Sequence, residues 1–179
     1  STTLGSAQGQ GRLSVHLYEN GESILEIATG LVNPSPQPNL SPDGERVMLR
    51  INVDDHQELH EYNILTGIVR SFTITSDGDA DNSAYSPDGR ELVFESDNRL
   101  FRRNANRSGQ TKEYEVPDGA GALDWSLSGR LIVFVFRNSF GFGDLYLLDT
   151  ETETVTLLDV GDGRHAWPRF SPDERFISY

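Results

Sequence analysis

The chain has 179 residues, 28 acidic against 15 basic side chains and a formal net charge of -13. That length suffices for one domain with a real core, and that charge repels phosphate backbones and anionic bilayers, so nucleic acid is not an expected partner. With no cysteine there is no disulfide, thiol chemistry or Cys-based zinc site, and no apolar run approaches the length of a membrane-spanning helix.

Residues 1 to 10, STTLGSAQGQ, carry no pattern and read as a flexible tail before a single domain over 11–179. The chain opens on Ser1 and its one methionine is Met48, as expected of a processed or trimmed polypeptide. From Ser14 onward the apolar residues alternate with period two between turn signals, which predicts strands throughout. Ser14–Tyr18 and Ile24–Ile27 form the first pair. Then comes Ser41-Pro42-Asp43-Gly44, followed by an apolar strand from Arg46. The same phrase returns as Ser86-Pro87-Asp88-Gly89, as Ser126-Leu127-Ser128-Gly129 and as Ser171-Pro172-Asp173-Glu174. A period of 40 to 45 residues suits a four-stranded propeller blade.

The motif has a physical logic. Proline presets φ, the aspartate caps the turn and glycine takes a positive φ, so a tight hairpin is predicted at each copy. An apolar residue precedes each one, in turn Leu40, Tyr85, Trp125 and Phe170, with equivalent burial expected. A second half-repeat lies between copies, as in Asp144–Asp149 followed by Thr154–Leu158. With the strands of a blade named a to d from the inside outward, the order is c-d, three complete blades, then a-b. The fold class expected is therefore an all-β propeller of four-stranded antiparallel blades, with four blade equivalents per chain. The half-blades close the ring within the chain or complete each other in an eight-bladed homodimer, and the a-b ending also suits a piece of a longer propeller.

The phrases Tyr85–Asp97 and Asp144–Asp149 resemble the two halves of the TolB-type propeller repeat, over nearly all of residues 12 to 179. The pattern departs at Ser126-Leu127-Ser128-Gly129 and at Glu174. The resemblance implies several kinds of use. The family includes the periplasmic TolB protein of the Tol–Pal system, propellers that gate prolyl-oligopeptidase-type peptidases, and oligogalacturonate lyases. A periplasmic or secreted location follows from the first of these.

Propeller topology puts the motif turns on one face and the d-a and b-c loops on the other. The turns are read as structural. The loops form an acidic rim with Asp54, Asp55, Asp77, Asp79, Asp81, Asp118, Asp159 and Asp162, next to His165. Oxygen ligands on glycine-containing loops suit Ca²⁺, although the spacing of an EF-hand is absent; solvated turn aspartates are the competing reading. His56, Glu58 and His60 share one face of a strand, with His165 as a further ligand if a metal binds. Asp124 and Arg169 precede aromatics that pack between blades, so they should point to the channel and pair across its lining, as a structural ion pair or as a ligand anchor at the channel mouth. No Gly-x-Ser-x-Gly elbow or phosphate-cradling loop occurs. Two functions stay open. One is a non-enzymatic propeller that binds a protein partner or small polar ligand through Asp79, Asp81, Asp124, Asp162, His165 and Arg169. The other is an enzyme or part of one, either a metal-assisted carbohydrate lyase or the gating domain of a peptidase.

Overall fold

A computed structural model describes residues 12–19, 22–32, 38–53, 56–73, 78–117, 119–137, 143–158, 161 and 165–179, with β1 and β2 described as strands without their side chains. Among them the chain forms strands without a helix. β1 (Arg12–Glu19) pairs with β2 (Glu22–Val32) as a two-stranded antiparallel sheet. Three four-stranded blades follow. The first is β3 (Asn39–Leu40), β4 (Arg46–Val53), β5 (His56–Asn63) and β6 (Val69–Ser71). The second is β7 (Ala80–Tyr85), β8 (Glu91–Ser96), β9 (Arg99–Asn104) and β10 (Lys112–Tyr114). The third is β11 (Ala120–Trp125), β12 (Leu131–Arg137), β13 (Gly143–Asp149) and β14 (Val155–Leu158). β15 (Arg169–Phe170) and β16 (Ile177–Ser178) close the order as another pair.

The expected blade order is thus observed. Among the described residues the two half-blades remain separate two-stranded sheets, so a blade shared between β1–β2 and β15–β16 is not formed within the chain. The tail expected over residues 1–10 lies outside the described residues.

The motif turns are built by four side-chain and backbone bonds that the sequence only half announces. In the second blade Ser86 Oγ donates to Asp88 Oδ1 (2.6 Å) while accepting from Glu91 N (2.9 Å). Asp88 Oδ1 also accepts from Arg90 N (3.1 Å), and Gly89 N donates to Ser86 O (2.8 Å). The serine hydroxyl above all holds Asp88 below the usual carboxylate range, and the same arrangement lowers Asp43 and Asp173. The two departures keep the geometry. Ser128 stands in for aspartate, its hydroxyl 3.1 Å from Ser126 Oγ and accepting from Arg130 N (3.4 Å). Glu174 adopts the glycine conformation at φ 56, a left-handed backbone that costs an L-residue about 1–2 kcal/mol.

The core lies between blades, because each sheet buries both faces. One seam joins Met48, Leu59 and Phe72 of the first blade to Tyr85, Leu92 and Phe94 of the second. The next joins Val93, Leu100 and Tyr114 to Trp125, Ile132 and Phe134 of the third. A third packs Val133, Val135 and Leu145 against Phe170 and Ile177.

Burial at the repeat aromatics is unequal, which corrects the expectation of equivalence. Tyr85 and Trp125 are 6% and 8% exposed, Phe170 is half-buried, and Leu40 is 50% exposed. Tyr85 packs against Met48, Leu59 and Phe72 of the first blade and Trp125 against Val93, Leu100 and Tyr114 of the second, whereas among the described strands only the two-stranded β1–β2 sheet precedes Leu40. The inner strands β3 and β15 are also two residues long against six for β7 and β11. Pro38 and Pro168 immediately precede them and withhold a ladder donor.

Candidate functional site

Turns that must be tight, and seams that must carry a large ring, leave concavities where they meet on the motif-turn face. Between the second and third blades a recess of about 520 Å³ is bounded by Pro87, Asp88, Glu91, Arg102, Trp125 and Leu127. Where the four turns converge, a second of about 310 Å³ is lined by Pro42, Pro87, Leu127 and Pro172 over Trp125 and Phe170, with Asp124 at its base. A third, about 430 Å³, lies against Arg46, Gly89 and Arg90. Leu127 borders both of the first two and is 65% exposed.

These recesses are rigidly walled. Trp125 Nε1 donates to Gly129 O (2.9 Å), fixing the indole in its seam. The Arg102 guanidinium lies 5.7 Å from the Trp125 ring centroid and pairs with Glu91. In the neighbouring seam Arg46 lies 5.1 Å over the Tyr85 ring and donates to Gly89 O (3.1 Å). Tyr85 Oη donates to Glu61 Oε2 (3.0 Å), and burial pushes its phenol up.

On the loop face, the described acidic residues hold blades together. Asp79 Oδ1 accepts from Gln57 N (2.8 Å), and Asp79 N donates to Asp97 Oδ1 (3.1 Å). Asp81 is paired with Arg50 at 2.9 Å across the first seam. A cation held by this loop would therefore compete with a guanidinium for Asp81, a poor donor set for Ca²⁺. Asp54, Asp55, Asp77, Asp118, Asp159 and Asp162 lie outside the described residues.

Asp124 and Arg169 are brought together, but not as the expected direct pair. Asp124 Oδ2 accepts from Phe170 N (2.9 Å), while Arg169 Nη1 donates to Leu123 O (3.2 Å) and Pro168 O (3.0 Å). Burial raises the Asp124 carboxyl, against the lowering by Phe170 N and the Arg169 charge. In the first seam Asn39 Oδ1 accepts from Tyr85 N (3.2 Å) at the equivalent place.

His56, Glu58 and His60 share a face of β5, as the strand pattern predicts. They stand opposite Val53, Ile51 and Leu49. Each imidazole approaches a different carboxylate oxygen: His56 Nε2 lies 3.0 Å from Oε1 and His60 Nε2 2.8 Å from Oε2, with Ser71 Oγ 3.2 Å from the latter. Burial raises the Glu58 carboxyl, but these three partners outweigh it and the net shift is downward. His165 Nε2 instead lies 3.1 Å from Gly161 O, with its ring edge-on to Tyr179. Among the described residues no group of three or more His, Asp or Glu is arranged to hold a metal ion.

The recesses were not legible as a site, since the motif turns read as structural. The departure at Leu127, an apolar side chain where the other turns carry proline, was the available signal. Trp167 is a second residue missed: it is 50% exposed and at φ 59 directly before Pro168, a backbone that pre-proline sterics disfavour.

Solved structures with this blade geometry decide the fold. TolB from Acinetobacter baumannii superposes with a TM-score of 0.71 at 23% identity, over 88% of this chain and 39% of that one. The fold is that of a TolB-like β-propeller. A putative TolB from Agrobacterium tumefaciens matches at TM-score 0.65 and 22% identity, over 81% of this chain and 59% of its own. Hydrazine synthase from Kuenenia stuttgartiensis matches at 0.65 and 16%, over 88% and 46%. The chain thus spans less than two thirds of each of these proteins. No family model matches the sequence, and no curated protein does either.

Proposed function

We propose that this TolB-like propeller is a non-enzymatic binding module that presents a preformed surface to a protein partner, with a small polar ligand as the alternative occupant. The observation that carries this reading is the pair of recesses on the motif-turn face, the larger with a mixed polar and apolar lining and the smaller mainly apolar, both bounded by Pro87, Trp125 and Leu127. Rigid turns on a closed-packed scaffold are a low-entropy way to present such a surface. On the loop face, Asp79, Asp81 and Asp124 are engaged by Gln57, Arg50 and Phe170. That engagement supports a role in blade assembly, with the rest of the acidic rim as a second contact area. The likeness to TolB supports a periplasmic or secreted location.

Elemental analysis of the purified protein tests the reading against the metal-assisted lyase. The expected result is no stoichiometric transition metal, and a zinc or manganese content near one per chain that disappears in His56→Ala overturns it. The half-blades carry a proposal about assembly: β1–β2 of one copy completes β15–β16 of a second in an eight-bladed ring. A solution mass near twice 19.9 kDa supports the dimer, and 19.9 kDa rules it out.

A further inference from the structure

We propose that the two recesses sharing Leu127 form one groove that docks an extended segment of a partner protein in which an apolar side chain is followed by a basic one. The proposal rests on the binding reading above and specifies its partner chemistry.

Three observations converge on that occupant. The first is apolar shape. Pro87, Trp125 and Leu127 line both recesses, so the two adjoin across these side chains, and Pro42, Pro172 and Phe170 extend the apolar lining of the smaller one where the turns meet. At about 520 and 310 Å³ each lobe lies in the range of small-ligand sites. Leu127 exposes 65% of its surface although the turn needs only a residue that tolerates its backbone, as proline does elsewhere. An exposed leucine between two concavities is apolar area that a ligand would cover.

Charge is the second. Among the described residues the cation lining the two lobes is Arg102, which is already paired with Glu91 and laid over Trp125. Asp88 borders the larger lobe and is held ionised by the Ser86 hydroxyl, its own arginine neighbour Arg90 being 3.8 Å away and 85% exposed. Asp124 sits at the base of the other lobe. Among the described residues the lining carries Asp88, Glu91 and Asp124 against Arg102, so a basic side chain is favoured over an acidic one, and the net charge of -13 draws it in from a distance. Backbone chemistry is the third. Pro42, Pro87 and Pro172 offer no N–H, so the rim selects side chains rather than adding a strand. The apolar residue fits the lobe between Trp125 and Phe170, and the basic residue that follows reaches Asp88.

The test uses three blocked hexapeptides, Gly-Gly-Leu-Arg-Gly-Gly, its Leu-Glu counterpart and its Gly-Arg counterpart, titrated into ¹⁵N-labelled protein. Leu-Arg is expected to shift the amides of Ser86–Glu91 and Ser126–Gly129, with the other two peptides about ten-fold weaker or more. Leu127→Pro restores the residue of the other three turns, so it retains the fold and is expected to lose the same factor. Asp88→Asn keeps an oxygen for Ser86 and Arg90 N, and is expected to remove the preference for arginine over glutamate together with its salt dependence. Equal affinity for Leu-Arg and Leu-Glu, an undiminished Leu127→Pro, or no binding at millimolar peptide overturns the proposal. Shifts confined to Asp79–Asp81 and Arg169 also overturn it while leaving the binding reading intact, and that reading falls separately on the metal result.

Discussion

The two faces of this propeller use the same residue, aspartate, for different ends. On the motif-turn face Asp43, Asp88 and Asp173 close bonds within their own turn, two residues away from their partner serine. On the loop face Asp79 and Asp81 reach more than twenty residues back to the preceding blade. Local closure on one face leaves recesses above the seams, lined by both polar and apolar side chains. On the other face Asp79 and Asp81 bridge to Gln57 and Arg50 of the preceding blade, the second as an ion pair. Among the described residues, Asp79 and Asp81 on the loop face tie blade to blade, while the motif-turn aspartates stay within their own turns beside the recesses.

Substitutions can break this contrast at graded cost. Trp125→Ala is expected to be the most damaging, at about 3–5 kcal/mol in denaturant unfolding, because it removes the ring between the second and third blades. Asp81→Asn removes the charge that pairs with Arg50 and leaves Gln57 Oε1 as the other described side-chain partner of that guanidinium. The pair is partly exposed, so the loss expected is about 1–2 kcal/mol, below the full cost of breaking a buried pair. Gly89→Ala places a methyl 3.1 Å from Arg46 Nη2 at φ 68, and about 1 kcal/mol is expected from the backbone alone. If Asp81→Asn proves as silent as a surface change, the loop-face carboxylates are not latches.

Acid sharpens the contrast at the smallest scale. The folded protein holds Asp43, Asp88, Asp173 and Asp149 below their ordinary value of 3.8, Asp149 at about 2 through Arg130 Nε and Nη2. Their stabilisation is complete above that ordinary value and is lost as pH falls through the folded values. Asp124, raised by burial, contributes in the opposite sense. Urea midpoints followed from pH 5 to pH 2 should therefore decline, and Asp149→Asn should flatten the part of the decline nearest pH 2.

Much of the fold was legible because its determinants are local. A turn that needs proline, aspartate and glycine at fixed offsets announces itself, and with the period it gives the blade order. The serine was legible only as a constant letter; its bonds to the strand beyond require coordinates. Long-range facts were harder. That Leu40 is exposed while Trp125 is buried depends on which strands flank a blade, and the repeat alone makes the two positions equivalent. The site was legible in part. His56, Glu58 and His60 share a face as alternation requires, but their imidazoles turn to a carboxylate between them. Asp124 accepts from Phe170 N of the next inner strand while Arg169 donates to backbone carbonyls, a pairing that the repeat alone does not specify. The grooves escaped notice because each is shared by turns 40 or more residues apart in sequence.

A paired measurement on Leu127→Pro and Asp81→Asn tests the contrast between faces most directly, reading thermal midpoint and affinity for the Leu-Arg peptide in both. The account predicts that Leu127→Pro keeps its midpoint and loses the peptide, while Asp81→Asn loses several degrees and keeps the peptide. Peptide binding abolished by Asp81→Asn at an unchanged midpoint, with Leu127→Pro binding as before, would place the recognition surface on the acidic loops and contradict it.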